Sequence, residues 1–175
     1  MAKKIDNRDF FTRDAVSVAQ DLLGKIICHE KDGFVIRGRI KATEAYRQND
    51  DVTDANREIK KTAQFLTGGH LYFYNKKGEG RQRIDIVANN KDVAESVLIR
   101  WIDSYCEGPQ IAVWALDIDP EDNGIDLLDK DSKIWIEDDG IAVVMNDPQP
   151  RKGLSENAET KKELLYFSAK EFIFK

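Results

Sequence analysis

Residues 34–46 alternate with a period of two. Phe34, Ile36, Gly38, Ile40, Ala42, Glu44 and Tyr46 share one face of a strand; Val35, Arg37, Arg39, Lys41, Thr43 and Ala45 share the other. Three cations mark the second face as the outward one. Glu44 therefore stands at the end of the inward, apolar stripe, one strand step from an aromatic. A carboxylate there is paired, exposed at the sheet rim, or held in a cleft where burial raises its pKa. The last is the condition in which carboxylates do functional work, and the rim glutamate is the alternative to it. Arg100 poses the complementary question. It interrupts the apolar run Val97–Ile102 and, if buried, needs an acidic partner, for which Glu44 and Asp85 are candidates. Tyr72 and Tyr74 share a face of their own segment, where aromatics ordinarily serve packing.

The elements that must position these residues can be read along the chain. Phe10–Gly24 has the pattern of a helix, with Thr12 as its N-terminal cap, Gly24 as its left-handed stop, and Ala15, Val18, Ala19 and Leu22 on its apolar face. Lys25–Lys31 reads as a strand, and Asp32-Gly33 turns it into the return strand that carries Glu44. A polar stretch from Asp50 to Phe65 has helical potential. After Thr67-Gly68-Gly69, two strands, His70–Tyr74 and Arg83–Ala88, flank a long cationic hairpin. Val97–Ile102 is a further strand and Gln110–Leu116 a short helix. Ile134–Met145 reads as a second Asp-Gly hairpin, residues 151–163 as a polar loop, and Leu164–Phe167 with Glu171–Phe174 as an apolar tail that packs back onto the body. The expected architecture is α+β: one domain over residues 1–175, a curved, mainly antiparallel or mixed sheet with flanking helices and a protruding basic hairpin.

Composition excludes several classes. The 175 residues are 41% hydrophobic and 34% charged, which suits a folded core. No run of eighteen apolar residues offers a membrane span, and the charged Met1–Asp9 segment has no apolar stretch behind it, so a cytoplasmic protein is expected. Cys28 and Cys106 are far apart in apolar runs and read as small buried hydrophobes, not as a disulfide. The two histidines, His29 and His70, form no zinc motif, and no glycine-rich nucleotide loop is present; neither metal nor organic cofactor is expected. The net charge of −5 hides a partition. Between Arg57 and Arg83 seven cations face two anions, a net +5, so the remainder carries −10. Charge alone favours a solvated hairpin tip, and a phosphate-attracting segment is the other reading.

Several blocks, in order, carry a resemblance. Phe10-Phe11-Thr12-Arg13-Asp14-Ala15, Asp21-Leu22-Leu23-Gly24-Lys25, Gly38-Arg39-Ile40 leading to Thr43-Glu44-Ala45-Tyr46, Gly69–Tyr74, Val97-Leu98-Ile99-Arg100 and Asn123–Leu127 resemble the alkyladenine (3-methyladenine) DNA glycosylases, over residues 10 to about 128. The resemblance implies a monomeric, cofactor-free hydrolase of the N-glycosidic bond of alkylated purines in double-stranded DNA. It implies a nucleotide flipped into a pocket, as any enzyme acting on a stacked base requires. On it, Glu44 is the general base, Arg100 positions the water and the glutamate, Tyr46 and Tyr74 line the base pocket, and Lys76, Lys77, Arg81 and Arg83 belong to the DNA-binding hairpin. A cationic alkylated base gains from tyrosine faces and leaves readily, so a second, acidic carboxyl is less necessary.

The chain departs from that family at three positions. Ala55 stands where the family has a pocket histidine, Lys77 where it has a wedge tyrosine, and Asp85 where it has a pocket asparagine. Asp85 is either a wall of the pocket, favouring cationic bases, or a strand-edge residue under a shifted alignment. Two other functions stay open beside the glycosylase: a catalytically impaired nucleic-acid-binding or damage-sensing homologue, and a hydrolase of nucleosides or single-stranded substrates.

Overall fold

The chain begins with a two-residue strand, β1 (Lys3–Lys4), and a single 3-10 turn at Arg8–Phe10 before α1 (Ala15–Asp21). This computed structural model describes residues 1–48, 50, 62–75, 82–154 and 158–174. α1 is shorter than the expected Phe10–Gly24 helix, and its cap is Asp14, not Thr12. The Asp14 carboxylate accepts the Ser17 N–H at 2.9 Å, and Glu95 Oε2 takes the Ala15 N–H at 2.9 Å. Two carboxylates at a helix start satisfy orphan donors and oppose the dipole, which a threonine hydroxyl does less well. Gly24 does end the unit, at φ +79°.

β2 (Ile26–Lys31) and β3 (Phe34–Tyr46) form the expected hairpin, with Asp32 and Gly33 at φ 52° and 80°. β4 (Leu71–Asn75), β5 (Gln82–Ala88) and β6 (Glu95–Ile102) follow, then α2 (Pro109–Ala115), β7 (Ile134–Asp138), β8 (Ala142–Met145) and β9 (Tyr166–Ile173). The sheet order is β1-β7-β2-β3-β6-β5-β4, with β9 on the second half of β3 and β8 on β9, and every described strand pair is antiparallel. α1 packs on β3 and β6, and α2 on β5 and β6. The polar stretch 51–61 and the hairpin tip 76–81 lie outside the described residues.

The second Asp-Gly hairpin does not form. β7 pairs with β1 and β2, and β8 pairs with β9. The turn is diverted by charge: the Arg39 fork holds Asp139 at 2.7 and 3.2 Å, while Lys25 holds Asp138 at 2.8 Å. Cys28 is buried as expected, but Cys106 is exposed; both are free. Among the described residues no helix is long and apolar enough to cross a membrane.

The central correction concerns β3. Its pairing with β6 is irregular between Ile40 and Thr43, where Ala42 faces Trp101. Ile40 and Ile102 lie in the main core before this point; after it the core residues are Ala45, Ile99 and Val97, and Thr43 donates its hydroxyl to Ala19 O of α1 at 2.8 Å. Both strands thus switch the parity that faces the core, as local ladder disruptions allow. The single inward stripe of the alternation does not exist. Phe34, at its start, is 76% exposed, and Glu44 and Tyr46, at its end, face away from the helices.

The segment leading into β4 is pinned by main-chain contacts. Gly68 N–H donates to Asn89 O at 2.8 Å, and Asn89 N–H to Phe11 O at 3.0 Å. A Cβ on Gly68 would stand 2.3 Å from Phe11 O, backbone that cannot turn aside. Gly68→Ala should destabilise the protein by roughly 3 kcal/mol, as overpacked cores do. Urea denaturation of the two proteins measures it, and an unchanged midpoint would contradict this packing.

Candidate functional site

Antiparallel register places directly opposed residues on the same face. One row runs across five strands: Tyr166 of β9, Glu44 of β3, Leu98 of β6, Asp85 of β5 and Tyr72 of β4. The next row holds Tyr46, Ser96 and Val87, and Tyr74 opposes Arg83. The face opposite the helices therefore gathers Glu44, Tyr46, Arg100, Asp85, Tyr74 and Arg83. Ala55, Lys76, Lys77 and Arg81 lie outside the described residues.

Glu44 is no rim residue; it is fully buried. Oε1 accepts the Lys152 main-chain N–H at 2.9 Å, and Oε2 accepts the Tyr46 hydroxyl at 3.1 Å. Arg100 Nε lies 3.8 Å from Oε1, an ion pair longer than a hydrogen bond. Burial pushes the Glu44 carboxyl above its ordinary pKa, against the opposing pull of the Lys152 N–H, the Arg100 charge and the Tyr46 hydroxyl. The result is a carboxylate held in place yet costly to ionise, the state suited to taking up a proton.

Arg100 finds Glu44, as one of the expected candidates, but its second partner is Glu107, at 3.5 Å, and not Asp85. Among the described residues its Nε–H makes no hydrogen bond, so the guanidinium is held by charge between two carboxylates. Glu107 also takes both Lys152 Nζ contacts, at 2.6 and 2.8 Å, and the Tyr166 hydroxyl at 3.3 Å. Burial pushes Glu107 up, but the Lys152 hydrogen bond and charge, with Arg100, outweigh it and hold it below the ordinary carboxylate range. A cleft of about 590 Å³ shares Glu107, Lys152 and Tyr166 with this cluster and is also lined by Trp101 and Ser168.

Asp85 lies in the wall of the same face, on a strand with neighbours on both sides, and is fully buried. Ser96 donates its hydroxyl to Oδ2 at 2.9 Å, and Arg83 Nε stands 3.5 Å from Oδ1. Leu98 separates it from Glu44 by two strand spacings, roughly 10 Å, so direct repulsion between the two acids is weak. Arg83 turns inward, its guanidinium carbon 4.3 Å from the Tyr74 ring centre and 5.2 Å from that of Tyr46.

Sequence reading missed Glu107, Arg151, Lys152 and Asp50. Arg151, in the expected polar loop, is fully buried: it donates to Ala45 O at 3.0 Å and Asp50 Oδ2 at 2.7 Å, and stands 4.6 Å from the Tyr46 ring centre. That pair fixes the loop so that the next N–H, from Lys152, meets Glu44. No periodicity marks a loop arginine as buried; only Pro148 and Pro150, which stiffen the approach, hint at a fixed path.

Because the folded state binds the Glu44 proton more tightly than the unfolded chain, the stability from protonation is present below the unfolded pKa. It is lost as pH rises through the raised folded value. Glu44→Gln should therefore be at least as stable as wild type at pH 7, with the difference shrinking toward pH 4. Carbon-13 NMR of the wild-type carboxyl should show it titrating above the ordinary range, and further up in Arg100→Met. A variant that melts well below wild type at pH 7 would contradict this reading.

Residues 9–105 match the family model of methylpurine-DNA glycosylase. A protein of Prosthecochloris aestuarii is 30% identical over 175 aligned positions, covering 87% of this chain and 83% of its own. One from Clostridium perfringens strain 13 is 29% identical, covering 77% and 79%, and one from Clostridium novyi is 39% identical over a shorter match, 55% and 49%. All three bear the name "Putative 3-methyladenine DNA glycosylase". With its match extending over more than half its length, from the 3-10 turn before α1 through the strand that carries Arg100, the chain belongs to the methylpurine-DNA glycosylase family.

Proposed function

We propose that the protein is a monofunctional DNA glycosylase that removes alkylated or otherwise modified purines from duplex DNA by flipping the nucleotide and hydrolysing its N-glycosidic bond. The observation that carries this reading is the buried Glu44, oriented by Lys152 N–H and Tyr46 and facing Arg100. Water attacks C1′ of the deoxyribose and the C1′–N bond breaks, its electron pair leaving with the base. Glu44 takes the water's proton, and the products are a free base and an abasic sugar. Arg100 Nε–H, facing Glu44, is placed to donate to that water, and the carboxylate stabilises the cationic character that develops on the sugar. A base already positive leaves as a neutral molecule, so no general acid is required. Tyr46 and Tyr74 offer faces on which a cationic purine stacks. Lys76, Lys77 and Arg81 are the hairpin cations that would meet phosphate.

Base release from duplex oligonucleotides carrying 3-methyladenine, 7-methylguanine, hypoxanthine or ethenoadenine tests the reading. Glu44→Gln should lose about 10²–10⁴-fold in rate, the usual worth of a general base, while still binding the duplex. The acidic limb of kcat/KM should lie above the ordinary carboxylate range, and Arg100→Met should move it to higher pH, since the arginine charge favours ionised Glu44. A folded wild type that binds DNA and releases no base from any of the four would identify the damage-sensing homologue instead.

A further inference from the structure

The tyrosine faces that the proposed reaction uses are not bare. Arg83 lays its guanidinium 4.3 Å from the Tyr74 ring centre and 5.2 Å from that of Tyr46, with Nε 3.5 Å from Asp85 Oδ1. A purine stacked on Tyr74 needs the layer about 3.5–4 Å above the ring, and the guanidinium fills it. The placement follows from register: Tyr74 and Arg83 are direct cross-strand partners, on the face that carries Asp85. A flat cation with N–H donors, resting on aromatic rings beside a carboxylate, reproduces the chemistry of an alkylated purine. The Arg83 side chain is 22% exposed on a long stem, and Asp85 also accepts the Ser96 hydroxyl at 2.9 Å.

We propose that Arg83 is a built-in competitor for the base slot: in the DNA-free protein its guanidinium holds the place of a cationic purine against Tyr46, Tyr74 and Asp85, and swings out before a base enters. The proposal rests on the reading of this face as the base pocket. Any base then binds with an affinity reduced by the fraction of molecules in which Arg83 is home. The same contacts name the ligand class. A planar cation regains both the ring faces and the Asp85 carboxylate that Arg83 gives up, whereas a neutral purine regains only the stacking.

Calorimetric titration with 3,9-dimethyladeninium, a cation at neutral pH, and with neutral 9-methyladenine tests this without DNA or catalysis. Arg83→Met should bind both about tenfold or more tightly than wild type and still prefer the cation. Arg83→Met/Asp85→Asn should lose that preference. A cation preference kept in Arg83→Met and lost in the double variant separates an opened slot from a loosened fold, and Arg83→Gln, which retains a polar head, serves if the methionine variant does not fold. Arg83→Met binding no more tightly than wild type, or no binding by any variant, overturns the proposal. Base release from lesion duplexes separates the two readings. Release by wild type with no gain on removing Arg83 sinks the competitor and spares the glycosylase; a gain without release does the reverse.

Discussion

A carboxylate with no surface in water is among the least favourable things a sheet can carry, and the structure around Glu44 is arranged to answer it. The answer comes from four places in the chain: Tyr46 beside it on β3, Arg100 on β6, Glu107 holding Arg100 from the entrance to α2, and the Lys152 N–H from the loop before β9. None of these acts alone. Lys152 can present its N–H because Arg151 is anchored on Asp50 and Ala45 O, and Arg100 sits between two carboxylates because Glu107 is itself held by Lys152. The cluster is a closed circuit of charge in which each member fixes the next.

What lets this circuit exist is the irregularity near Ala42 and Trp101. The first half of β3 serves the same core as Ile27 and Ile136; the second half turns Thr43 and Ala45 to α1 and the core, and so delivers Glu44 and Tyr46 to the other face. A strand without that switch would keep the parity of Ile40 and bury the glutamate among aliphatic side chains, with no donors to meet it.

Much of this was legible in the sequence, and the exceptions have physical causes. Strand ends, the Asp32-Gly33 turn and the face shared by Tyr72 and Tyr74 follow from local pattern and need only a few neighbouring residues to specify them. The parity switch did not, because it arises between β3 and β6, about sixty positions apart, and neither strand announces it alone. Asp139-Gly140 misled because a turn signal says where the chain bends and not which strand it then joins; Arg39 and Lys25 decided that. Of the site, Glu44 and Arg100 were visible as charges out of place in apolar runs, whereas Tyr46 and Tyr74 stood out only through the resemblance. The groups that hold them were not visible, since a main-chain N–H such as that of Lys152 has no letter in the sequence.

The Lys152 hydrogen bond spans 108 positions of chain, and this separation has a kinetic meaning. Contacts between distant segments form only after the long loop between them has been closed, so they belong to the slow end of folding. β3 and β6 can pair while the chain is still incomplete, bringing Glu44 and Arg100 together with the side opposite the helices open to water. Until residues 151 and 152 arrive, that glutamate lacks the Lys152 N–H and the cover of the loop that brings it. The buried carboxylate with its loop-supplied donor is thus complete only as the last layer closes.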